Sequence, residues 1–504
     1  MFVRKLKSKN GKTYVQVVDK SSGRYKVLRS FGSSVHGTEL ENLTQKAQKW
    51  IADYTGDLEI DFTNSNELIQ KLLGSITQMN RIGFDLVLGG ILDEIGFNQI
   101  HDEIFKQLVL CRISYPRSKL KTTEYLYRYK QISWTEDQVY RYLDKLYNTQ
   151  KEKVQKISYE HTLKLLNNKL CVVFYDVTTL YFEIDEEDEL RKTGFSKEGK
   201  HQNPQIVLGL LVSQFGYPLA YDIFEGNKFE GHTMLPVVDA FKEKYKLQQL
   251  TIIADSGLLS KFNIENLQHK GYEFILGARI KNENEAVKKK ILAINLKNGQ
   301  SAIIRKEDLR LIISYSDDRA RKDRYNREKG LRKLEKQVKT GRLTKANINN
   351  RGYNKFLKLE GEIKVGIDHE KIELDSRWDG LKGYITNANL DKDQIIENYG
   401  HLWQIEKAFR IAKHDLRIRP VYHRLQRRIE AHICISFVAY KVYKELERQL
   451  KLKKANISPE KAIEIAESIF EIQVSLPQNG QTIKKTLLLT EEQKYLASIF
   501  NFGC

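Results

Sequence analysis

The chain has 504 residues, 41% hydrophobic and 30% charged, including 21 Phe and 26 Tyr, enough apolar material for packed cores in about three domains. Extensive disorder is excluded. Lys and Arg outnumber Asp and Glu by 84 to 65, a formal charge of +19 that is unusual for an enzyme of small molecules and points to a polyanionic partner, nucleic acid before membrane.

In chain order, residues 1–55 begin with short period-two alternation, with Val15 and Val17 around Gln16 and Tyr25 and Val27 among Arg24 and Lys26. Turn signals at Asn10-Gly11 and Ser21-Ser22-Gly23 make this an N-terminal antiparallel β-meander. From Glu39 the period turns helical, and 56–167 reads as a helical DNA-binding region. Ser133-Trp134-Thr135-Glu136 is a capping box with Ser133 as the cap. Two short helices with interleaved Arg and Tyr, Pro116 to Lys130 and the one after the box, suit either a helix-turn-helix DNA reader or bundle helices with core tyrosines.

From Leu170 strands and helices alternate. Leu170–Tyr175 is an apolar run typical of a buried central strand. Gln205–Gln214 and Tyr217–Phe224 form a hairpin, Gly231–Tyr245 is helical, and Leu250–Ile253 and Tyr272–Leu276 are strands with a short helix between them. The order β-β-β-α-β-α-β predicts a mixed sheet flanked by helices over 168–277. Residues 278–383 read as a β-rich insertion with its own small sheet and a basic helical arm. That arm carries 12 Lys and Arg against three acidic residues between Arg319 and Lys345. Helical period resumes over 384–450, and 451–504 is a tail with a helix, a hairpin turning at Asn479-Gly480, and a possible role in oligomerisation.

Four cysteines, Cys111, Cys171, Cys434 and Cys504, include no CxxC pair, which disfavours a disulfide framework or a zinc ribbon. The apolar run Ile206–Val212 falls far short of the roughly 20 residues of a membrane helix, and MFVRKLKSKNGKTYV has no signal-peptide core. A cytoplasmic protein is expected.

Carboxylates at the ends of apolar strands stand out in so basic a chain. Asp176 follows Val172-Val173-Phe174-Tyr175 and Asp255 follows Ile252-Ile253-Ala254. Either alone reads as a loop cap; both together, on strands that could be neighbours, favour a shared site for a divalent cation with oxygen ligands. A third carboxylate is available in the helical segment Tyr399–Lys413. On an ideal wheel Tyr399, Trp403, Glu406, Arg410 and Lys413 occupy a stripe about 80° wide, beside a core face of Ile405, Phe409 and Ala412. The same wheel puts Leu402 at the border of the core face, next to solvent.

The segments Tyr175-Asp176-Val-Thr-Thr-Leu-Tyr-Phe, Ala254-Asp255-Ser-Gly and Tyr399…Glu406…Lys413 resemble the catalytic segments of bacterial insertion-sequence DDE transposases, in particular the group with the Tyr-x2-Arg-x3-Glu-x6-Lys signature. Gly194-Phe-Ser-Lys, Gly226-Asn227, Thr386-Asn387 and Arg419-Pro-Val-Tyr-His423 extend the resemblance over nearly the whole chain. It implies an α/β, RNase H-like mixed sheet flanked by helices, with a β-rich insertion. It also implies that Asp176, Asp255 and Glu406 are catalytic and hold two Mg²⁺ ions, with Mn²⁺ able to substitute. DNA would be held by Tyr399, Trp403, Arg410, Lys413, Arg417 and Arg419. The signature arginine falls at Leu402, so Arg410 is the expected substitute, ahead of His401. The implied activity is cleavage at transposon ends and strand transfer into target DNA, by a homodimer acting on double-stranded DNA near the nucleoid. A nuclease without strand transfer and a non-enzymatic DNA-binding protein are the alternatives. The acidic loop Glu183–Glu189 reads as solvated.

Overall fold

The computed structural model describes residues 1–21, 23–55, 70, 73–184, 186–196, 199–341, 343–349, 351–360, 364–475 and 481–503. They divide into two units, Met1–Gln78 with Gln473–Lys484, and Met79–Ile472 with Lys485–Cys504. Among them no helix is long and apolar enough to cross a membrane.

The first unit contains the expected meander. Strands β1 (Phe2–Lys7), β2 (Thr13–Asp19) and β3 (Lys26–Ser34) pair antiparallel in that order, with Gly11 at φ +76° in the first turn. The alternation in β2 places Val15 and Val17 on one face, where they bury against Ala47 of the helix Gly37–Thr55.

Strand β4 (Ile76–Arg81) runs through the boundary at residue 78, and the second unit continues into a helical group that includes Glu103–Ser114, Lys119–Lys130, Glu136–Lys145 and Lys151–Leu165. The capping box forms two residues later than the sequence suggests. Thr135 is the cap, its hydroxyl accepting from the Gln138 amide (3.2 Å) while the Gln138 side chain accepts from the Thr135 amide (2.8 Å). Tyr125 and Tyr142 are core residues, so these are bundle helices on at least one face. They pack with the helix Gln426–Leu452, which is buried along most of its length.

The sheet at the centre has eight strands: β5 (Val172–Tyr181), β6 (Gln205–Ser213), β7 (Pro218–Glu225), β8 (Thr251–Ala254), β9 (Glu273–Ala278), β10 (Ser301–Lys306), β11 (Leu309–Tyr315) and β14 (Leu381–Thr386), in the order β10-β11-β14-β9-β8-β5-β6-β7. Within β7-β6-β5-β8-β9, β5 is parallel to β8 and β8 to β9, whereas β6 opposes both its neighbours. This is the expected RNase H-like arrangement. All nine residues of β6 are buried, as a strand covered on both faces requires.

The insertion departs from expectation. It does not keep its strands to itself: β10 and β11 join β14 antiparallel and so extend the central sheet. Only β12 (Leu357–Glu360) and β13 (Lys364–Ile367) form a separate ribbon. Sequence alternation shows that a segment is a strand, but not which edge it joins. The basic arm is a 23-residue helix, Asp317–Lys339, tied down by a bidentate Arg327–Asp379 pair and by Arg319 Nε donating to the Leu381 carbonyl (3.2 Å). Strands β15 (Phe470–Ser475) and β16 (Thr482–Leu487) and the helix Glu491–Phe500 follow. The expected Asn479-Gly480 turn, Lys197 and Cys504 lie outside the described residues.

Candidate active site

Strand β5 does not end at Asp176, as the apolar run suggested, but continues to Tyr181. What ends there is its parallel partner. Register runs from Val172 opposite Thr251 to Tyr175 opposite Ala254, so Asp176 and Asp255 are the next residues on adjacent strands, at the point where β8 gives way to a loop. Alternation sets their facing. Val173, Tyr175 and Val177 belong to the core on one side of the sheet, and Phe174 and Leu180 to the core on the other. Asp176 shares the parity of Phe174, and Asp255 that of Ile253, which belongs to the same core as Phe174.

The helix Trp403–Arg410 packs on that face. It buries Ile405, Ala408 and Phe409 beside Phe174 and Leu180, against β5 and β6, and leaves Glu406 exposed. The apolar face was correctly read, but the helix is not continuous from Tyr399. Lys392–Gly400 ends, and His401, Leu402, Gln404 and Ile405 each donate to the carbonyl three residues back, a tightened joint before the next helix begins. Residues 411–415 then widen into a π-turn. Azimuths counted at about 100° per residue therefore drift, and the consequence falls on Leu402. Leu402 is 6% exposed and packs in the core, with one edge lining the cleft described below.

A cleft of about 380 Å³ lies at this place, lined by Asp255, Lys382, Arg319, Tyr399, Trp403 and Glu406 among others. Tyr399, almost fully buried, donates its hydroxyl to Asp255 Oδ1 (3.2 Å). It can approach because residue 277 is glycine, where a Cβ would stand 2.5 Å from the phenol oxygen. Burial and then the Asp255 charge push the Tyr399 phenol up, so it keeps its proton and acts as a donor. Lys382 Nζ sits 4.4 Å from the centre of the Tyr399 ring. Its pKa is lowered by burial and then by Arg319, against the pull of Asp255 and Glu406.

The cleft thus gathers Asp255, Glu406, Tyr399 and Trp403 of the expected set. Asp176 stands beside Asp255 by register but does not line the cleft; its Oδ1 accepts from the Val177 amide (2.8 Å). Among the described residues no group of three or more His, Cys, Asp or Glu is close enough to hold a metal ion. The donor chemistry nonetheless suits magnesium, being carboxylate oxygen alone with neither thiolate nor imidazole. Arg410 is exposed, does not line the cleft, and exerts its attraction on Asp415. Lys413 lies in the π-turn, and Arg417 and Arg419 line a different pocket. The cations that line the cleft, Lys382 and Arg319, come from the stretch read as an insertion, where nothing distinguished them from their many basic neighbours.

A family profile described as Transposase DDE domain matches residues 167–441, more than half of the chain and the stretch that carries all three carboxylates. The chain belongs to the DDE transposase family. A transposase for the insertion sequence element IS231E of Bacillus thuringiensis subsp. finitimus is 29% identical over 166 residues, 31% of this chain and 34% of that transposase, so the match spans about a third of the relative's length. Among solved structures, a piggyBac transposase synaptic complex with hairpin DNA aligns over 79% of each chain at 10% identity and a TM-score of 0.38. A Mos1 transposase paired-end complex with the left transposon end aligns over 34% of this chain and 58% of that one at 12% identity and a TM-score of 0.16. Likenesses this low carry no argument about the DDE transposase described here.

Proposed function

We propose that this DDE transposase cuts DNA at the ends of a mobile element and joins the freed 3′ ends to target DNA, with Asp176, Asp255 and Glu406 as the catalytic carboxylates. One observation carries the reading: two aspartates at equivalent positions on adjacent parallel strands, facing the side on which the Glu406 helix packs, in a chain of this family. Asp176, Asp255 and Glu406 would hold Mg²⁺ or Mn²⁺. A bound divalent cation there supplies positive charge that activates the attacking oxygen and stabilises the leaving one.

The remaining roles fall to the chain itself. Tyr399 holds the Asp255 carboxylate in place through its hydroxyl. Lys382 and Arg319, in place of the signature arginine that Leu402 lacks, neutralise a phosphate brought to the cleft. Trp403, half exposed at the rim, offers a ring on which a displaced base can stack. The helix Asp317–Lys339 adds salt-dependent attraction to the DNA backbone. A homodimer pairing two ends completes the reading, and the mass of the end–DNA complex in solution tests it.

The deciding experiment incubates the protein and Mg²⁺ with pre-cut element-end DNA and a target plasmid. Joined product is expected. Cleavage of uncut ends without joining would make the protein a nuclease, and binding without either reaction would make it a DNA-binding protein.

A further inference from the structure

The structure assigns a second anion site to this chain, a pocket built from Arg112, Lys119, Arg417 and Arg419 that takes a phosphate group of the DNA backbone. It rests on the DNA reading above but lies apart from the carboxylates. The pocket, about 400 Å³, is lined by the first turn of the helix Lys119–Lys130, by Arg112 of the helix Glu103–Ser114, and by the loop through Arg417, Arg419 and His423; among the described residues Glu136 is the one acidic group in the lining.

Two buried basic side chains without an ion pair mark it as a site. Lys119 is 5% exposed, and among the described residues its ammonium has neither a hydrogen bond nor an ion pair. Arg112, 6% exposed, donates through Nη1 to the Leu416 and Arg417 carbonyls (3.4 and 3.5 Å) and through Nη2 to His432 Nδ1 (3.4 Å), and its buried Nε has no partner. Neutral or cationic groups surround both. His432 Nε2 donates to the Ile418 carbonyl (3.0 Å), which leaves Nδ1 as an acceptor and the ring neutral. Burial, Lys119 and Arg112 draw the His423 imidazole down to about 3. Two buried cations lining one pocket with no carboxylate paired to either destabilise a fold unless an anion completes them.

The surroundings suit a phosphate. The first turn of the helix Lys119–Lys130, where the Ser118 hydroxyl caps the Lys121 amide, lines the pocket at its positive end, and the guanidinium-bearing Arg417 and Arg419 line it too. Arg417 is held in the left-handed region at φ +45°, a conformation that costs of order 1 kcal/mol and recurs where a loop is shaped for a ligand. The loop is anchored to the catalytic strand: the Val421 amide donates to the Tyr181 carbonyl (3.2 Å), and the Arg419 guanidinium lies 5.9 Å from the Tyr181 ring centre. Tyr181 is five residues beyond Asp176 on β5, roughly 16 Å at the rise of a strand, close to half a turn of duplex. A DNA strand reacting at the carboxylates would bring another of its phosphates within reach.

The test compares the parent protein with Lys119→Met and Arg417→Ala. Thermal midpoints are measured in inorganic phosphate and in chloride at equal ionic strength, and binding to a duplex of unrelated sequence is titrated against salt. Phosphate should raise the parent's midpoint above that in chloride and do so less in Arg417→Ala and not at all in Lys119→Met. Lys119→Met should melt no lower than the parent in chloride, because it removes an unpaired buried charge. Its duplex affinity should fall about tenfold, with the salt slope reduced by about one. Equal phosphate shifts in all three proteins overturn the site. A phosphate shift lost in Lys119→Met with unchanged duplex affinity and slope overturns DNA as its source. A Lys119→Met protein that fails to fold, with an Arg417→Ala protein that keeps the parent's phosphate shift, makes Lys119 structural and overturns it too. Absence of strand transfer strikes the catalytic reading and leaves these measurements standing.

Discussion

The cleft at the end of β8 and the pocket beyond the end of β5 hold charge under opposite conditions. In the cleft, Asp255 and Glu406 are exposed, and the groups around them already oppose their charge: the Tyr399 hydroxyl, Lys382 and Arg319. In the pocket, Lys119 and Arg112 are buried and repel each other, with two neutral histidines beside them and, among the described residues, no carboxylate in an ion pair with either. An exposed acid waits at little cost for a cation, because water solvates it. A buried base pair waits at a larger cost, which an arriving anion relieves.

Removing the three proposed catalytic carboxylates, two in the cleft and Asp176 beside it, should produce the largest effect. Asp176→Asn, Asp255→Asn and Glu406→Gln should each lower Mg²⁺-dependent cleavage of end DNA at least a thousandfold, about 4 kcal/mol, while duplex binding changes little. A single variant that cleaves normally would take that residue out of the ligand set and leave the cleft without its distinguishing charge.

Next comes the cation that faces those acids. Lys382→Met should lower cleavage roughly 10–100-fold, whereas Arg410→Ala, outside the cleft, should stay within about twofold of the parent. The reverse ranking would mean that the wheel, not the folded joint at 400–403, describes how DNA lies on this helix.

The pocket should betray its burial, and the positive charge beside it, through pH. His423 and His432 both have pKa values held below the ordinary 6.5, so the unfolded chain binds protons there that the folded one refuses. Their contribution is complete above about 6.5 and is lost as pH falls toward the folded value, about 3 for His423, by up to about 1.4 kcal/mol per pH unit for each group. His423→Phe should make urea midpoints fall less steeply between pH 6.5 and 4. An unchanged slope would place His423 in contact with water and its neighbours' charge elsewhere.

Among the residues that line the cleft, the smallest expected effect is at Tyr399, which only steadies an acid. Tyr399→Phe should slow cleavage less than about tenfold and leave duplex affinity unchanged, since one hydrogen bond contributes about 1 kcal/mol. A loss comparable to Asp255→Asn would give the hydroxyl a direct part in the chemistry.

Much of this was legible residue by residue. The valine and isoleucine runs before Asp176 and Asp255 are local signals of buried strands, and a carboxylate beside such a run is conspicuous in any chain. The 3.6-residue period gave the core face of Ile405 and Phe409, and with it the exposure of Glu406. Alternation and turn residues sufficed for the meander of β1, β2 and β3. These signals survive because each depends on neighbours within one or two turns of chain.

Tertiary structure alone decided the rest. That β10 and β11 extend the central sheet, that β5 runs five residues past Asp176, and that Leu402 is buried all depend on partners distant in sequence. The same holds for function. In a chain with 84 Lys and Arg, nothing local separates Lys382, Arg112 or Lys119 from the others. What separates them is desolvation: packing removes water from a few cations and leaves most in solvent, and the cost of a buried charge depends on what the fold sets beside it.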